Sequence, residues 1–247
     1  DWTARRLVAE RFRVGNVFIE GDAAHIWIPM AGYGMNAGIA DAMNLSWMMA
    51  AVLMGHASAS ILDAHEKERH PITEQVSRLA MAKALEYASR SAEKDVPREE
   101  VAKVVYEINA PQFACEGLNF GYFYDDSPLI LYDAETPPRY DMGSATPSTA
   151  PGCRLPHFWL TAKDSIYDLL GPYYSLIQLN GRKMDNLFKH AFDVGRMPLT
   201  IIDAEADCSY FRHDFLLVRG DQHICWRGNA LPDDMTAVVE KLTHRSG

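Results

Sequence analysis

The stretch Val14–Leu53, VGNVFIEGDAAHIWIPMAGYGMNAGIADAMNLSWMMAAVL, constrains the fold of this chain more than any other. A short β-rich run, Val17–Glu20, stops at Gly21-Asp22, which delivers a carboxylate to the carboxyl end of a strand, where α/β folds place their ligands. A small-residue loop follows Pro29, and its glycines, Gly32 and Gly34, let backbone approach a ligand because they carry no Cβ. From Met35 the residues Met35, Ile39, Met43, Trp47, Ala50 and Met54 recur at helical spacing, and Gly55 offers a stop. A glycine loop that feeds a helix start exposes unpaired N–H groups at the positive end of the helix dipole, a seat for an oxygen carrying negative charge. Asp22 taken by itself reads equally as a turn or capping aspartate. His25 reads as a packed, hydrogen-bonded histidine before it reads as a proton shuttle.

The string GDAAHIWIPMAGYGMNAGIADAMNLSW resembles the second flavin-contact motif of the FAD-dependent aromatic hydroxylases, the flavoprotein monooxygenases that include para-hydroxybenzoate hydroxylase and phenol hydroxylase. The resemblance implies a role for each matching position. Asp22 takes the place of the acid that accepts a hydrogen bond from the ribityl chain of FAD, and Pro29 that of the proline whose carbonyl lies near the flavin ring. Gly34, Met35 and Asn36, following Gly32 in the same loop, take the place of the turn whose N–H groups address the flavin pyrimidine. A helix N-terminus there stabilises charge on the reduced ring by roughly 0.3–2 kcal/mol. The chain departs from the family at Met30-Ala31 and Tyr33, and it agrees again at Glu68-Arg69-His70-Pro71, a Glu-Arg-x-Pro run. FAD is the implied cofactor and NAD(P)H the implied co-substrate; no residue stands out as a catalytic acid or base.

Composition bounds the partners. At 247 residues, 48% hydrophobic and 11% aromatic, the chain can bury a substantial core and has room for more than one folded unit. A formal charge of −9 without a basic patch argues against nucleic acid and anionic membrane surfaces. The apolar run Met48–Met54 is far shorter than a bilayer span. Cys115, Cys153, Cys208 and Cys225 are widely spaced with no C-x-x-C pair, which supports neither a zinc site nor a dithiol and fits reduced thiols in a cytoplasmic protein. No metal ligand set is expected.

Three regions are expected. Residues 1–92 read as the carboxyl-terminal part of an FAD-binding domain, 93–150 as a connector, and 151–247 as a thioredoxin-like α/β domain without redox cysteines. In the first, Arg5, Arg6, Arg11 and Arg13 read as a solvated face, and Ala59–Ser91 as helix in which Pro71 marks a kink or restart. A domain exit is expected in Ser91–Glu100. In the connector, Val101–Ile108 is helix-like, Gly117–Tyr124 reads either as a packed strand or as a pocket wall offering Tyr122 and Tyr124, and Glu135–Pro151 is irregular. The last region offers strands at Phe158–Leu160, Ser175–Leu179, Leu199–Asp203, Phe215–Arg219 and Gln222–Arg227. Helices are expected around Ser165–Leu170, Met184–Asp193 and Asp233–Thr243, with Asp233-Asp234 in the first turn of the last. Gly220-Asp221 reads as a two-residue hairpin turn. Strand alternation sends His223 and Cys225 to one face and Trp226 to the other, so these three form no joint site. The pieces CRLPHFWL, DLLGPYYSLIQL and FLLVRGDQHICWRG resemble the thioredoxin-like carboxyl-terminal domain of phenol-hydroxylase-type enzymes, which implies packing or homo-oligomer contact.

The fold class expected is thus α/β, a flavin-binding strand, glycine loop and long helices followed by a thioredoxin-like domain. The function expected is that of part of an FAD- and NAD(P)H-dependent monooxygenase acting on a phenolic, aromatic or polyketide small molecule. No strand–G-x-G-x-x-G–helix unit for the FAD pyrophosphate occurs in these residues. The chain is therefore expected to be the carboxyl-terminal part of a longer hydroxylase, inactive by itself. The alternative reading is a non-catalytic binding or assembly module that carries the flavin motif as a relic.

Overall fold

Glycines bend the start of the chain so tightly that its strands stay minimal. β1 (Leu7–Val8), β2 (Arg13–Val14), β3 (Val17–Phe18) and β4 (His25–Ile26) are two residues each; β2 and β3 form an antiparallel hairpin, and β1 pairs antiparallel with β4. The run Val17–Glu20 therefore ladders only over its first half. Gly15 (φ +60°) returns the chain on one side, and Gly21 (φ +53°) opens a 3-10 turn over Gly21–Ala23 on the other.

The structure is a computed structural model and describes residues 3, 5–29, 32–91, 97–113, 115–184, 186–206 and 209–245. Met30 and Ala31 of the glycine loop, Cys208, and the expected boundary at 92–93 lie outside these. The chain divides into two compact units: Asp1–Ala42, His65–Tyr122 and Tyr140–Ala145 in one, Met43–Ala64, Phe123–Arg139 and Thr146–Gly247 in the other.

α1 (Tyr33–Leu53) begins directly after the glycine loop and ends as the sequence requires. Gly55 takes φ +74°, Gly55 N–H donates to Val52 O at 3.0 Å and His56 N–H to Ala51 O at 2.8 Å, a Schellman closure. A 3-10 turn over Ala59–Leu62 leads into α2 (Asp63–Ser91), which contains Pro71 without a break. Burial on both sides of the proline, at Glu68, Arg69, Ile72, Thr73 and Val76, holds the helix across the missing N–H. α3 (Arg98–Phe113) extends well beyond the expected Val101–Ile108, since Arg98 follows Pro97 and Glu99 and Glu100 occupy its first turn.

In the first unit, Arg6 departs from the expected solvated face: its guanidinium bonds Glu74 and, at 2.9 Å, Ser77 Oγ on α2. Gly117–Gly121 is a π-helical turn and not a strand. A Cβ at Gly117 would stand 1.6 Å from Asp141 O, so backbone approaches there as only glycine permits.

The second unit carries α4 (Ile166–Leu169), β5 (Tyr174–Leu179), α5 (Asn186–Val194), β6 (Leu199–Ala204), β7 (Phe215–Arg219), β8 (Ile224–Gly228) and α6 (Met235–Thr243). The sheet order is β6-β5-β7-β8, with β5 parallel to β6 and the other two pairings antiparallel, the thioredoxin-like arrangement. β5 and β7, central in the sheet, are buried at every residue, as strands covered on both faces must be. One face packs Ile177, Ile202, Leu216 and Ile224 against Leu155, Phe158 and Phe211. On the other, Tyr174 meets Phe192 at 5.8 Å and Phe188 lies 5.7 Å from Trp226.

Sequence expectations in this unit need three corrections. Phe158–Leu160 is no sheet strand, only a single bridge of Trp159 to Ser165, because Ser165 caps α4 there: Ser165 Oγ accepts from Tyr167 N–H at 3.1 Å and Ser165 N–H donates to Asp168 at 2.9 Å. The hairpin turn is longer than Gly220-Asp221. Arg219 N–H bonds His223 O, Gln222 N–H bonds Arg219 O, both at 2.9 Å, and Gln222 takes the left-handed conformation at φ +70°. Asp234 stands before the last helix as its N-cap, accepting from Ala237 N–H at 2.9 Å, so the two acids precede the first turn and do not lie in it.

Candidate functional site

The 3-10 turn Gly21–Ala23, the chain from His25 to Pro29, and the first turn of α1 enclose a cavity of about 320 Å³. Asp22, Trp27, Pro29, Gly32, Gly34 and Met35 line it. Five of the six positions singled out in the sequence therefore meet at one cavity. Asn36 does not line it; its N–H and its Nδ2 both turn back onto Gly32 O, at 3.4 and 2.9 Å, so it secures the loop.

Two features suit this cavity to a planar anionic edge. Gly32 takes φ +74°, a left-handed conformation. At Gly34 no positive φ is needed, and among the described residues an added Cβ would meet nothing within 4 Å. The opening N–H groups of an α-helix have no carbonyl one turn back to bond, and those of Gly34 and Met35 stand at this end of α1. Asp22 is exposed and lines the same cavity, and no hydrogen bond from another described residue engages its carboxylate.

Behind the cavity sits a buried polar hub. Asp41, on α1, is fully buried; its Oδ2 accepts from His25 Nε2 at 2.6 Å and from Gly21 N–H at 3.2 Å, and its Oδ1 accepts from Arg69 Nε at 2.8 Å. Burial works to raise the Asp41 pKa, yet the His25 hydrogen bond and the Arg69 charge outweigh it and bring it down to about 2. The Arg69 guanidinium also lies over the Tyr122 ring, 5.3 Å from its centroid. His25, stacked on Trp27 at 5.0 Å, is thus the packed, hydrogen-bonded histidine expected from sequence. Asp41 and Arg69 were visible as motif residues, but their pairing across 28 positions was not.

His65 gives this hub a pH signature. Burial foremost, joined by the Arg69 charge, lowers its pKa from the ordinary 6.5 to about 4, against the pull of neighbouring carboxylates. Between those values the unfolded chain holds the proton and the folded chain does not, so stability falls as pH drops from about 6.5 toward about 4. The expected loss is on the order of 2–3 kcal/mol. Thermal melts across this range should show it, and His65→Gln should flatten the slope; an unaltered slope would refute the assignment.

The second unit holds a separate buried cluster that the sequence did not announce. Asp221 accepts from Arg219 Nε at 3.1 Å and Asn44 Nδ2 at 3.3 Å, while the Arg219 guanidinium lies between Trp47 and Tyr124, at 5.4 and 5.2 Å from the ring centroids. His223 stacks on Tyr124 at 4.2 Å and Trp226 lies at Phe188, so these residues are apart, but strict alternation is not the reason: a register shift at Leu217/Val218 interrupts the β7–β8 ladder, and Ile224 and Trp226 fall on opposite faces.

An FAD binding domain model matches residues 1–80, and an aromatic-ring hydroxylase C-terminal model matches residues 148–246. The chain belongs to the FAD-dependent aromatic-ring hydroxylases. Among hydroxylases of this kind, an FAD-dependent monooxygenase of Penicillium oxalicum, opdD, is 29% identical over 252 residues, 92% of this chain and 48% of the relative. The structure of RebC-10x, native and K252c-bound, superposes with a TM-score of 0.84 at 32% identity, covering 96% of this chain and 47% of that one. Aklavinone-11 hydroxylase, solved with FAD and aklavinone, gives a TM-score of 0.76 at 27% identity, covering 99% and 46%. The chain spans about half the length of these hydroxylases. Among the described residues, no helix is long and apolar enough to cross a membrane.

Proposed function

We propose that this chain supplies one wall of the flavin site of an FAD- and NAD(P)H-dependent monooxygenase that hydroxylates a phenolic aromatic ring of polyketide type. The observation that carries the reading is the cavity lined together by Asp22, whose carboxylate takes no hydrogen bond from another described residue, and by Gly34 and Met35 at the start of α1. When bound, FAD supplies the two-electron reduction by NAD(P)H and the activation of dioxygen. The residues of this chain bind and orient. Asp22 accepts a hydrogen bond from the ribityl chain, Pro29 and Trp27 wall the ring, and the Gly34 and Met35 N–H groups stabilise negative charge at its pyrimidine edge. Residues 1–92 and 151–247 serve as flavin and thioredoxin-like modules joined by 93–150, a division that the extents of the two family models support. The carboxyl-terminal module serves packing or self-association. A substrate of polyketide type is supported by the aklavinone hydroxylase likeness.

The test uses the full-length flavoprotein under labelled dioxygen with a panel of phenolic polyketides, aklavinone among them. The expected result is stimulated NAD(P)H oxidation and one labelled oxygen atom in the aromatic product, the other leaving as water. Flavin reduction that no aromatic compound stimulates, with no labelled product, would overturn the reading.

A further inference from the structure

Gly38 and Asp41 lie about one turn apart on α1 and meet the Gly21–Asp22 turn together. A Cβ built on Gly38 would stand 3.3 Å from Gly21 Cα, closer than side chains ordinarily tolerate. One turn further along, Asp41 Oδ2 takes the Gly21 N–H at 3.2 Å. The same carboxylate holds His25 at 2.6 Å and Arg69 at 2.8 Å, so it cannot shift without disturbing both. The turn is thus pressed on the helix at one residue and tied to it at another. Gly34, at the cavity, precedes Gly38 by one turn, about 6 Å along the same rigid axis.

We propose that Gly38 and Asp41 are positioning residues for the flavin: their joint with Gly21 fixes the Asp22 carboxylate relative to the Gly34 and Met35 amides. This rests on the reading of Asp22 as a flavin contact. Neither residue lines the cavity. A helical alanine at position 38 displaces the turn while favouring the helix itself, since alanine is the better helix former.

The experiment is a double-mutant cycle on the full-length protein, with FAD affinity of the apoprotein read by fluorescence titration and apoprotein melting read alongside. Gly38→Ala should weaken FAD binding about three- to tenfold without lowering the melting temperature. In an Asp22→Ala background the same substitution should change affinity by less than about twofold. Asp41→Glu, which keeps the charge opposite Arg69 and lengthens the tie, should weaken FAD binding with the same dependence on Asp22, although its melting temperature falls because the His25 and Arg69 bonds are disturbed, and it carries the cycle if Gly38→Ala does not fold. If Asp22→Ala weakens binding but the joint variants do not, or weaken it equally in both backgrounds, the positioning role is overturned and the flavin reading stands. Unchanged affinity in Asp22→Ala overturns both.

Discussion

Asp22→Ala in the full-length protein is expected to weaken FAD binding about ten- to a hundredfold, the loss of a charge-assisted hydrogen bond of roughly 1.5–3 kcal/mol. The apoprotein should melt as before. Asp22 is exposed, and its carboxylate has no hydrogen bond from another described residue, so the fold has nothing there to lose. A capping or turn-closing aspartate gives the reverse pattern: lower melting temperature and FAD affinity within about twofold, a few tenths of a kcal/mol. Equilibrium titration with FAD and calorimetry of the same variant separate the two.

Asp221→Ala is expected to cost about 3–5 kcal/mol, because it leaves the Arg219 guanidinium buried without its counter-charge. Arg219 is 1% exposed and Asp221 6%, and the pair is further held by Asn44 and the Trp47 and Tyr124 rings. For a domain of this size the loss corresponds to roughly 6–20 °C in melting temperature. Replacing both partners, Arg219→Met with Asp221→Leu, should recover most of it, since the desolvation cost disappears along with the attraction. Arg219 holds the Asp221 pKa well below 3.8 although burial opposes this, so the contribution of the pair persists above that value and fades only as pH falls far below it. A single-variant loss under about 1 kcal/mol would show that the pair is solvated in practice.

The parts of this fold that were legible in sequence are those governed by local rules. Gly55 stops α1 through a left-handed residue, and the helix near Ser165–Leu170 and the strands near Ser175–Leu179, Leu199–Asp203 and Phe215–Arg219 form where their local patterns placed them, each decided by residues a few positions apart. The cavity was legible for the same reason: Asp22 and the Gly32–Met35 loop lie on consecutive segments of one stretch. What the sequence concealed depends on distant partners. Nothing local tells that Asp41 will find Arg69, that Arg6 will reach Glu74, or that Asn44 and Asp221 will share one buried cluster. At Pro71 the helix does not restart: the local penalty is real, but burial on both flanks of α2 keeps the helix continuous. The length of the β7–β8 hairpin was misread because Gln222, not glycine, adopts the left-handed position that ends the turn.

The central claim is that the Gly21–Asp22 turn and the opening of α1 are two walls of one flavin site. Amide hydrogen exchange of the full-length apoprotein with and without saturating FAD tests it most directly. The expected result is FAD-dependent protection in peptides spanning residues 20–40, strongest over Gly32–Asn36 and reduced there by Asp22→Ala. Saturating FAD that protects other regions and leaves residues 20–40 exchanging as in the apoprotein would contradict it.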